Sequence, residues 1–245
     1  MNASGEVVGY ASTEANSIHA FLYSGGVMRD LGTLRGSYSQ TRAVAINDRG
    51  DVVGNDRLSD DRAFVYRGGV MQDLGTLQSG GFSAASAIDA KGQIVGSAQL
   101  LTGPYPGAIH GFLYANDLMS DMTGFGIPDY YQILPYSINT SGHIVGDAYD
   151  LRYTSFRYSA FLYTPASGMV DLNTLLPPKS GWVLTHAYAI NDAGQIIGAG
   201  TYQNESTPFL LTMEPAVRPS PRPGFPRPRD GDEPKQGPIS SILQR

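Results

Sequence analysis

The sequence predicts an all-β protein of tandem four-stranded repeats stacked like propeller blades, about five in number, in an incomplete or open ring. Three observations predict it. One block, Asn-x-x-Gly followed by two aliphatic residues and a second glycine, recurs five times along the 245 residues. Glycine is abundant at 30 residues while charged residues make up only 16%, a mixture suited to short strands and tight turns. The pattern then stops at a proline-rich segment, which divides the chain into a repeat domain over 1–213 and a tail over 214–245 that is expected to be disordered.

The copies of the block are Asn2-x-x-Gly5-x-Val7-Val8-Gly9, Asn47-x-x-Gly50-x-Val52-Val53-Gly54, Asp89-x-x-Gly92-x-Ile94-Val95-Gly96, Asn139-x-x-Gly142-x-Ile144-Val145-Gly146 and Asn191-x-x-Gly194-x-Ile196-Ile197-Gly198. Successive starts lie 45, 42, 50 and 52 residues apart, the period of a four-stranded unit; solenoid rungs are shorter. The Asn side chain mimics a backbone turn and the first glycine can take positive φ, so each block reads as a hairpin with a short bulged loop. The second glycine (Gly54, Gly96, Gly146, Gly198) reads as a bend or a close backbone approach, and not as a ligand site.

Other segments recur in phase. An apolar strand precedes the hairpin at Ala45-Ile46, Ala87-Ile88, Ser137-Ile138 and Ala189-Ile190. After it come Ala20-Phe21-Leu22-Tyr23, Ala63-Phe64-Val65-Tyr66, Gly111-Phe112-Leu113-Tyr114, Ala160-Phe161-Leu162-Tyr163 and Pro208-Phe209-Leu210-Leu211. The aromatics of this strand share one face and the small aliphatics the other, so both faces are expected to be covered. A fourth strand ends at Asp30, Asp73, Asp121 and Asp171. On this count the first copy lacks its first strand and the fifth lacks its last. The missing start points to an N-terminally shortened form of a longer protein.

Composition narrows the function classes. Seventeen basic against 22 acidic residues give a net charge of −5, which neither collects phosphate nor clings to an anionic membrane, so nucleic acid is not an expected partner. The absence of cysteine removes disulfides, thiolate chemistry and cysteine-rich zinc modules. The start Met1-Asn2-Ala3-Ser4-Gly5 has neither a basic nor an apolar export region, and no apolar run is long enough to span a membrane. The tail carries 8 of the 16 prolines between Pro215 and Pro238, too dense for a strand ladder.

The combined pattern of the hairpin block, His19-Ala20-Phe21-Leu22-Tyr23 and Met28-x-Asp30-Leu31-Gly32-Thr33-Leu34 resembles the HAF repeat family, named for the triplet His19-Ala20-Phe21. The resemblance runs over residues 2–212. It implies a bacterial extracellular or cell-surface protein of propeller-like architecture, and it transfers no catalytic residue. The other copies read Arg62-Ala63-Phe64, His110-Gly111-Phe112, Ser159-Ala160-Phe161 and Thr207-Pro208-Phe209, so the histidine has no invariant role.

Candidate chemistry follows from what remains. No His-x-x-x-His or His-x-His pair exists among the four histidines, and no metal or other cofactor is expected. The turn Asn47-Asp48-Arg49-Gly50-Asp51 lacks the alternating oxygen spacing of a calcium loop. Asp30, Asp73 and Asp171 are read, like the hairpin residues Asn47, Gly50, Asp89, Gly92, Asn139, Gly142, Asn191 and Gly194, as scaffold that satisfies backbone donors. A carboxylate ring for a cation or sugar is the alternative for the aspartates. Tyrosines crowd the middle of the chain, and Tyr105, Tyr130, Tyr131, Tyr136 and Tyr153 are the candidate binding residues, as stacking platforms for sugar or peptide. The expected function is therefore a non-catalytic binding or structural module for protein or carbohydrate, with a glycan hydrolase or lyase and a fragment without independent function as the alternatives.

Overall fold

A computed structural model describes residues 1–58, 60–125, 131–152, 158–213 and 239–243. It is all-β, with five antiparallel sheets and two single-turn 3₁₀ helices, Met122–Phe125 and Leu172–Leu175. Sheet 1 holds β1 (Val7–Ser12), β2 (Ile18–Ser24) and β3 (Val27–Asp30). Sheet 2 holds β4 (Gln40–Ile46), β5 (Val52–Arg57), β6 (Asp61–Arg67) and β7 (Val70–Asp73). Sheet 3 is formed by β8 (Ser83–Ile88), β9 (Ile94–Gln99), β10 (Ile109–Ala115) and β11 (Leu118–Asp121). Sheet 4 is formed by β12 (Tyr131–Ile138), β13 (Ile144–Asp150), β14 (Tyr158–Thr164) and β15 (Gly168–Asp171). Sheet 5 comprises β16 (Trp182–Ile190), β17 (Gln195–Tyr202), β18 (Glu205–Met213) and β19 (Ile239–Leu243).

The strands of every sheet lie side by side in chain order, as expected when each tight turn can only return the chain to its neighbour. One element differs from the sequence reading. β19 lies within the tail and pairs antiparallel with β18, Leu210 opposite Leu243, so the fifth sheet has four strands and not three. This is possible because the last proline, Pro238, precedes β19 and leaves every residue of Ile239–Leu243 with a backbone N–H to give. The remainder of the tail, 214–238 and 244–245, lies outside the described residues.

The sheets stack face to face through four hydrophobic cores. Each core takes the aliphatic face of one sheet and the aromatic face of the next. Val8, Ala20 and Leu22 of sheet 1 meet Val52, Phe64 and Tyr66 of sheet 2. Val53, Ala63 and Val65 on the other side of sheet 2 meet Ile94, Phe112 and Tyr114 of sheet 3. Sheets 3 and 4 join through Val95 and Leu113 against Ile144, Phe161 and Tyr163, and sheets 4 and 5 through Val145, Ala160 and Leu162 against Ile196, Phe209 and Leu211. The period-2 alternation seen in the sequence is the cause, since it gives each strand two apolar faces. Among the described residues no such core joins the fifth sheet back to the first, and the five sheets form an open arc and not a closed ring.

The hairpins that begin each block all have one geometry. In the second copy, Asn47 N donates to Asp51 O at 3.1 Å and Gly50 N donates to Asn47 O at 3.1 Å, with Gly50 at φ +80°. The side chain of Asn47 closes the loop from inside, its Oδ1 accepting the amides of Arg49 and Asp51.

The second glycine of each block is a steric requirement. A Cβ on Gly54 would lie 2.2 Å from Arg42 O and 2.6 Å from the tip of the Phe64 ring. At Gly96 and Gly198 a Cβ would likewise meet a backbone carbonyl and a Phe ring, and at Gly146 it would meet Leu134 O and the Pro135 backbone. Facing each of these glycines, the neighbouring strand carries a β-bulge: between Ala43 and Ala45, Ala85 and Ala87, Pro135 and Ser137, and Ala187 and Ala189. The extra residue in each bulge, Val44, Ser86, Tyr136 or Tyr188, falls outside the pairing and is re-aimed away from the sheet.

Candidate functional site

The four aspartates that end the outer strands are turn acceptors. Asp30 Oδ1 accepts Gly32 N at 2.7 Å, Asp73 Oδ1 accepts Gly75 N at 2.8 Å, Asp121 Oδ1 accepts Thr123 N at 2.9 Å and Asp171 Oδ1 accepts Asn173 N at 2.8 Å. In sheets 1 and 3 the same carboxylate also meets the histidine of the preceding strand, His19 Nδ1 to Asp30 and His110 Nδ1 to Asp121, both at 2.8 Å. Hydrogen bonds from these partners hold Asp30 and Asp121 below the usual carboxylate range, although burial opposes them most strongly. Among the described residues no group of three or more His, Asp or Glu side chains is placed to hold a metal.

Chemistry concentrates where the copies differ, at the junction of sheets 4 and 5. The residue after the second glycine is Tyr10, Asn55, Ser97, Asp147 or Ala199 in the five copies. In sheet 2 this position reaches across to the next sheet, Asn55 Oδ1 accepting Ala85 N at 2.7 Å. Asp147 points at the same place in the next sheet but meets a side chain there: its Oδ2 contacts His186 Nδ1 at 2.6 Å and accepts the Tyr136 hydroxyl at 3.1 Å.

Asp147 is only 2% exposed. Its other oxygen, Oδ1, is buried and has no hydrogen-bond partner; the Ala187 amide lies near enough to favour the ionised form without making a geometrically sound bond. Burial raises the Asp147 pKa, and His186 and Tyr136 offset only part of that. The Tyr136 hydroxyl is pushed well above its ordinary value by burial and by the Asp147 charge, so it stays protonated and donates.

Around this carboxylate runs a row of aromatic rings. Tyr149 and Tyr158, paired across β13 and β14, have ring centroids 5.3 Å apart. Tyr158 lies 5.1 Å from the His186 ring, and His186 stacks nearly parallel on Tyr188 at 5.9 Å and 7°. The bulges give the row its outer members: Tyr136 and Tyr188 are the extra residues of β12 and β16, and they are 36% and 52% exposed. The arrangement offers π faces for stacking. It also offers a His186 ring held at Nδ1 by Asp147.

Of the tyrosines singled out from the sequence, Tyr136 belongs to this cluster. Tyr131 lies on β12 opposite Asp150, and its side chain is not among those described. Tyr130 and Tyr153 lie outside the described residues. Tyr105 sits elsewhere, in a shallow cleft on sheet 3 lined also by Gln78, Pro104, His110, Asp121 and Thr123. Asp147 and Tyr188 are not among the sequence candidates, and His186 is read there, with the other three histidines, as structural or surface. The signal for Asp147 was present in the repeat alignment, as the one carboxylate at its position, whereas His186 needed the register of β16.

No family model matches the chain, and no curated protein matches it. Among solved structures, the chain is similar to the putative TolB of Agrobacterium tumefaciens at 13% identity and a TM-score of 0.50, over 68% of this chain and 60% of that one. A puromycin-hydrolysing peptidase of Mycobacterium tuberculosis is matched at 12% identity and a TM-score of 0.47, over 84% of this chain and 34% of that one. At such identity the TolB likeness shows a propeller-like fold and nothing about activity. The chain spans less than two thirds of the length of either structure.

Proposed function

We propose that this protein is a non-catalytic, extracellular or cell-surface binding module, and that it takes carbohydrate or protein on the aromatic row between sheets 4 and 5. The observation that carries the reading is the exposed Tyr188 ring, stacked on His186 and set out of its sheet by a bulge that displays Val44 in sheet 2 and Ser86 in sheet 3. A flat ring with a fixed orientation loses little entropy when a sugar face or a peptide side chain stacks on it. The polar groups beneath it supply direction: Tyr136, His186 and the buried Asp147. The resemblance to the HAF repeat family supports the extracellular assignment. The test is a thermal-shift screen of the intact protein against glycans and peptides, in which a true ligand raises the melting point by mass action. A ligand whose shift disappears in Tyr188→Ala supports the reading, and a shift unchanged in that variant counts against it.

The Asp147–His186 contact also supports a second reading, an enzyme acting on glycans with His186 as the proton-transfer group. Turnover of a bound glycan that is abolished by His186→Ala, with binding retained, would favour it over the first.

A further inference from the structure

The arc ends in two unlike faces, and both are versions of faces that are buried elsewhere in the same chain. The aliphatic position after the first residue of each block pair is Val53 in sheet 2, Val95 in sheet 3 and Val145 in sheet 4. All three are 0% exposed, because the following sheet covers them; Ile197, at the same position in sheet 5, is 50% exposed. The aromatic faces behave alike at the other end. Val52, Ile94, Ile144 and Ile196 are fully buried against the preceding sheet, whereas Val7 of sheet 1 is 36% exposed, with Tyr23 exposed beside it. Identical repeat positions serve as internal controls, so the exposure comes from a missing neighbour and not from residue type.

A second, independent observation lies in the hairpins. Asn2 Nδ2 donates to Asn47 O at 3.1 Å, Asn47 Nδ2 to Asp89 O at 3.0 Å and Asn139 Nδ2 to Asn191 O at 3.1 Å, each reaching forward to the next hairpin. Among the described residues no further hairpin of this kind lies ahead of Asn191. Its Nδ2 bonds only Gln195 within its own loop, and its side chain is exposed where those of Asn2, Asn47 and Asn139 are buried. Backward, the carbonyls of Asn47, Asp89 and Asn191 each receive such a bond, and the Asn2 carbonyl, at the start of the arc, receives only the amide of Gly5 from its own turn.

We infer that the free face of sheet 5 is an interaction surface for sheet 1 of a second copy of this chain, joined head to tail. The occupant is specified by the internal junctions: in all four an aliphatic face meets an aromatic face, and in three of them a forward-reaching Asn also meets a waiting carbonyl. A sheet of this repeat type offers that second set, and among the described residues the set on sheet 1 is unmet. The junction would place Ile197 and Leu210 against Val7, Phe21 and Tyr23 of the second copy, and would bring Asn191 to the second copy's Asn2 carbonyl. Such a contact is heterologous, using two different patches, so each copy keeps one free face after pairing.

The test uses the full chain and two single-face variants, Ile197→Asp and Tyr23→Asp, in sedimentation equilibrium over about a hundredfold range of concentration, enough to titrate a micromolar association. Both positions are exposed, so each variant should keep the wild-type melting transition; if one does not, Ile197→Thr or Tyr23→Ser takes its place. The expected result is a wild-type mass rising above the 26.2 kDa of one chain with concentration, while each variant alone stays at one chain. Mixed in equal amounts, the two variants should form a dimer that grows no further, because each retains the face the other lacks. A wild type that remains a single chain throughout overturns the inference and leaves the faces to some other partner. Association that survives in both variants, or a mixture that stays monomeric, overturns it as well.

Discussion

Asn47 donates from its side-chain amide to the main-chain carbonyl of Asp89 at 3.0 Å, across a separation of 42 residues. The bond links the hairpin of one sheet to the hairpin of the next. Its counterparts run from Asn2 to Asn47 and from Asn139 to Asn191. The rung from sheet 3 to sheet 4 is absent. Asp89 stands there, and a carboxylate has no N–H to give. Asp89 Oδ2 is instead buried without a partner, and burial raises the Asp89 pKa.

Asp89→Asn should therefore stabilise the protein at neutral pH by about 1 kcal/mol or more, by removing a buried charge and adding a buried hydrogen bond. The pH dependence has a definite sign. A carboxyl whose pKa is raised on folding costs stability when ionised and regains it as pH falls through its folded value toward 3.8. The advantage of the variant over wild type should thus shrink on acidification, as read by urea unfolding of both proteins at neutral pH and near pH 4.

Gly54→Ala should be among the most damaging single substitutions, costing about 3 kcal/mol or more. The new methyl would meet the Arg42 carbonyl and the Phe64 ring at 2.2 and 2.6 Å. Neither can retreat, since one belongs to the ladder and the other is fully buried. Gly68→Ala, in an exposed turn with open space around it, should cost only the strain of its positive φ, about 1 kcal/mol, and chemical denaturation will rank the two.

Much of this scaffold is legible in the sequence because glycine and asparagine carry their reasons locally. The hairpin needs a residue at positive φ and a side chain that mimics a turn, and the second glycine needs to have no side chain at all. The alternation of Phe64 and Tyr66 with Ala63 and Val65 likewise announces two covered faces. The bulges were not legible: nothing in Pro135-Tyr136-Ser137 says that Tyr136 drops out of register, because the cause is Gly146, ten residues further along the chain and across the ladder. The same holds for His186, whose meeting with Asp147 depends on how sheets 4 and 5 stack. β19 was hidden for a different reason, since the proline density of the tail masks five residues after Pro238 that contain no proline.

Tyr136→Phe should destabilise the protein modestly at neutral pH, by about 1 kcal/mol, because it removes a donor to the ionised Asp147. Asp147 is already raised by burial, and losing this bond raises it further. The cost should vanish as pH falls through the Asp147 pKa and the carboxyl becomes neutral. Thermal melts of both proteins across that range check the sign.

Asp73→Ala should lower stability by about 1 kcal/mol or less, since its carboxylate accepts Gly75 N in an exposed turn. Binding of any ligand found for the intact protein should be unchanged. A loss of affinity with stability intact, read by calorimetric titration, would restore the carboxylate-ring reading of the four repeat aspartates.

The most direct test of the central claim, that function resides where the copies diverge and scaffold where they agree, compares one repeat position in two sheets. Tyr188 and Val44 are both bulge residues, both exposed, and only Tyr188 belongs to the aromatic row. Affinity for a ligand identified with the intact protein should fall at least about tenfold in Tyr188→Ala, a loss of roughly 1.4 kcal/mol, and should not change in Val44→Ala. Equal affinities in the two variants would contradict the claim.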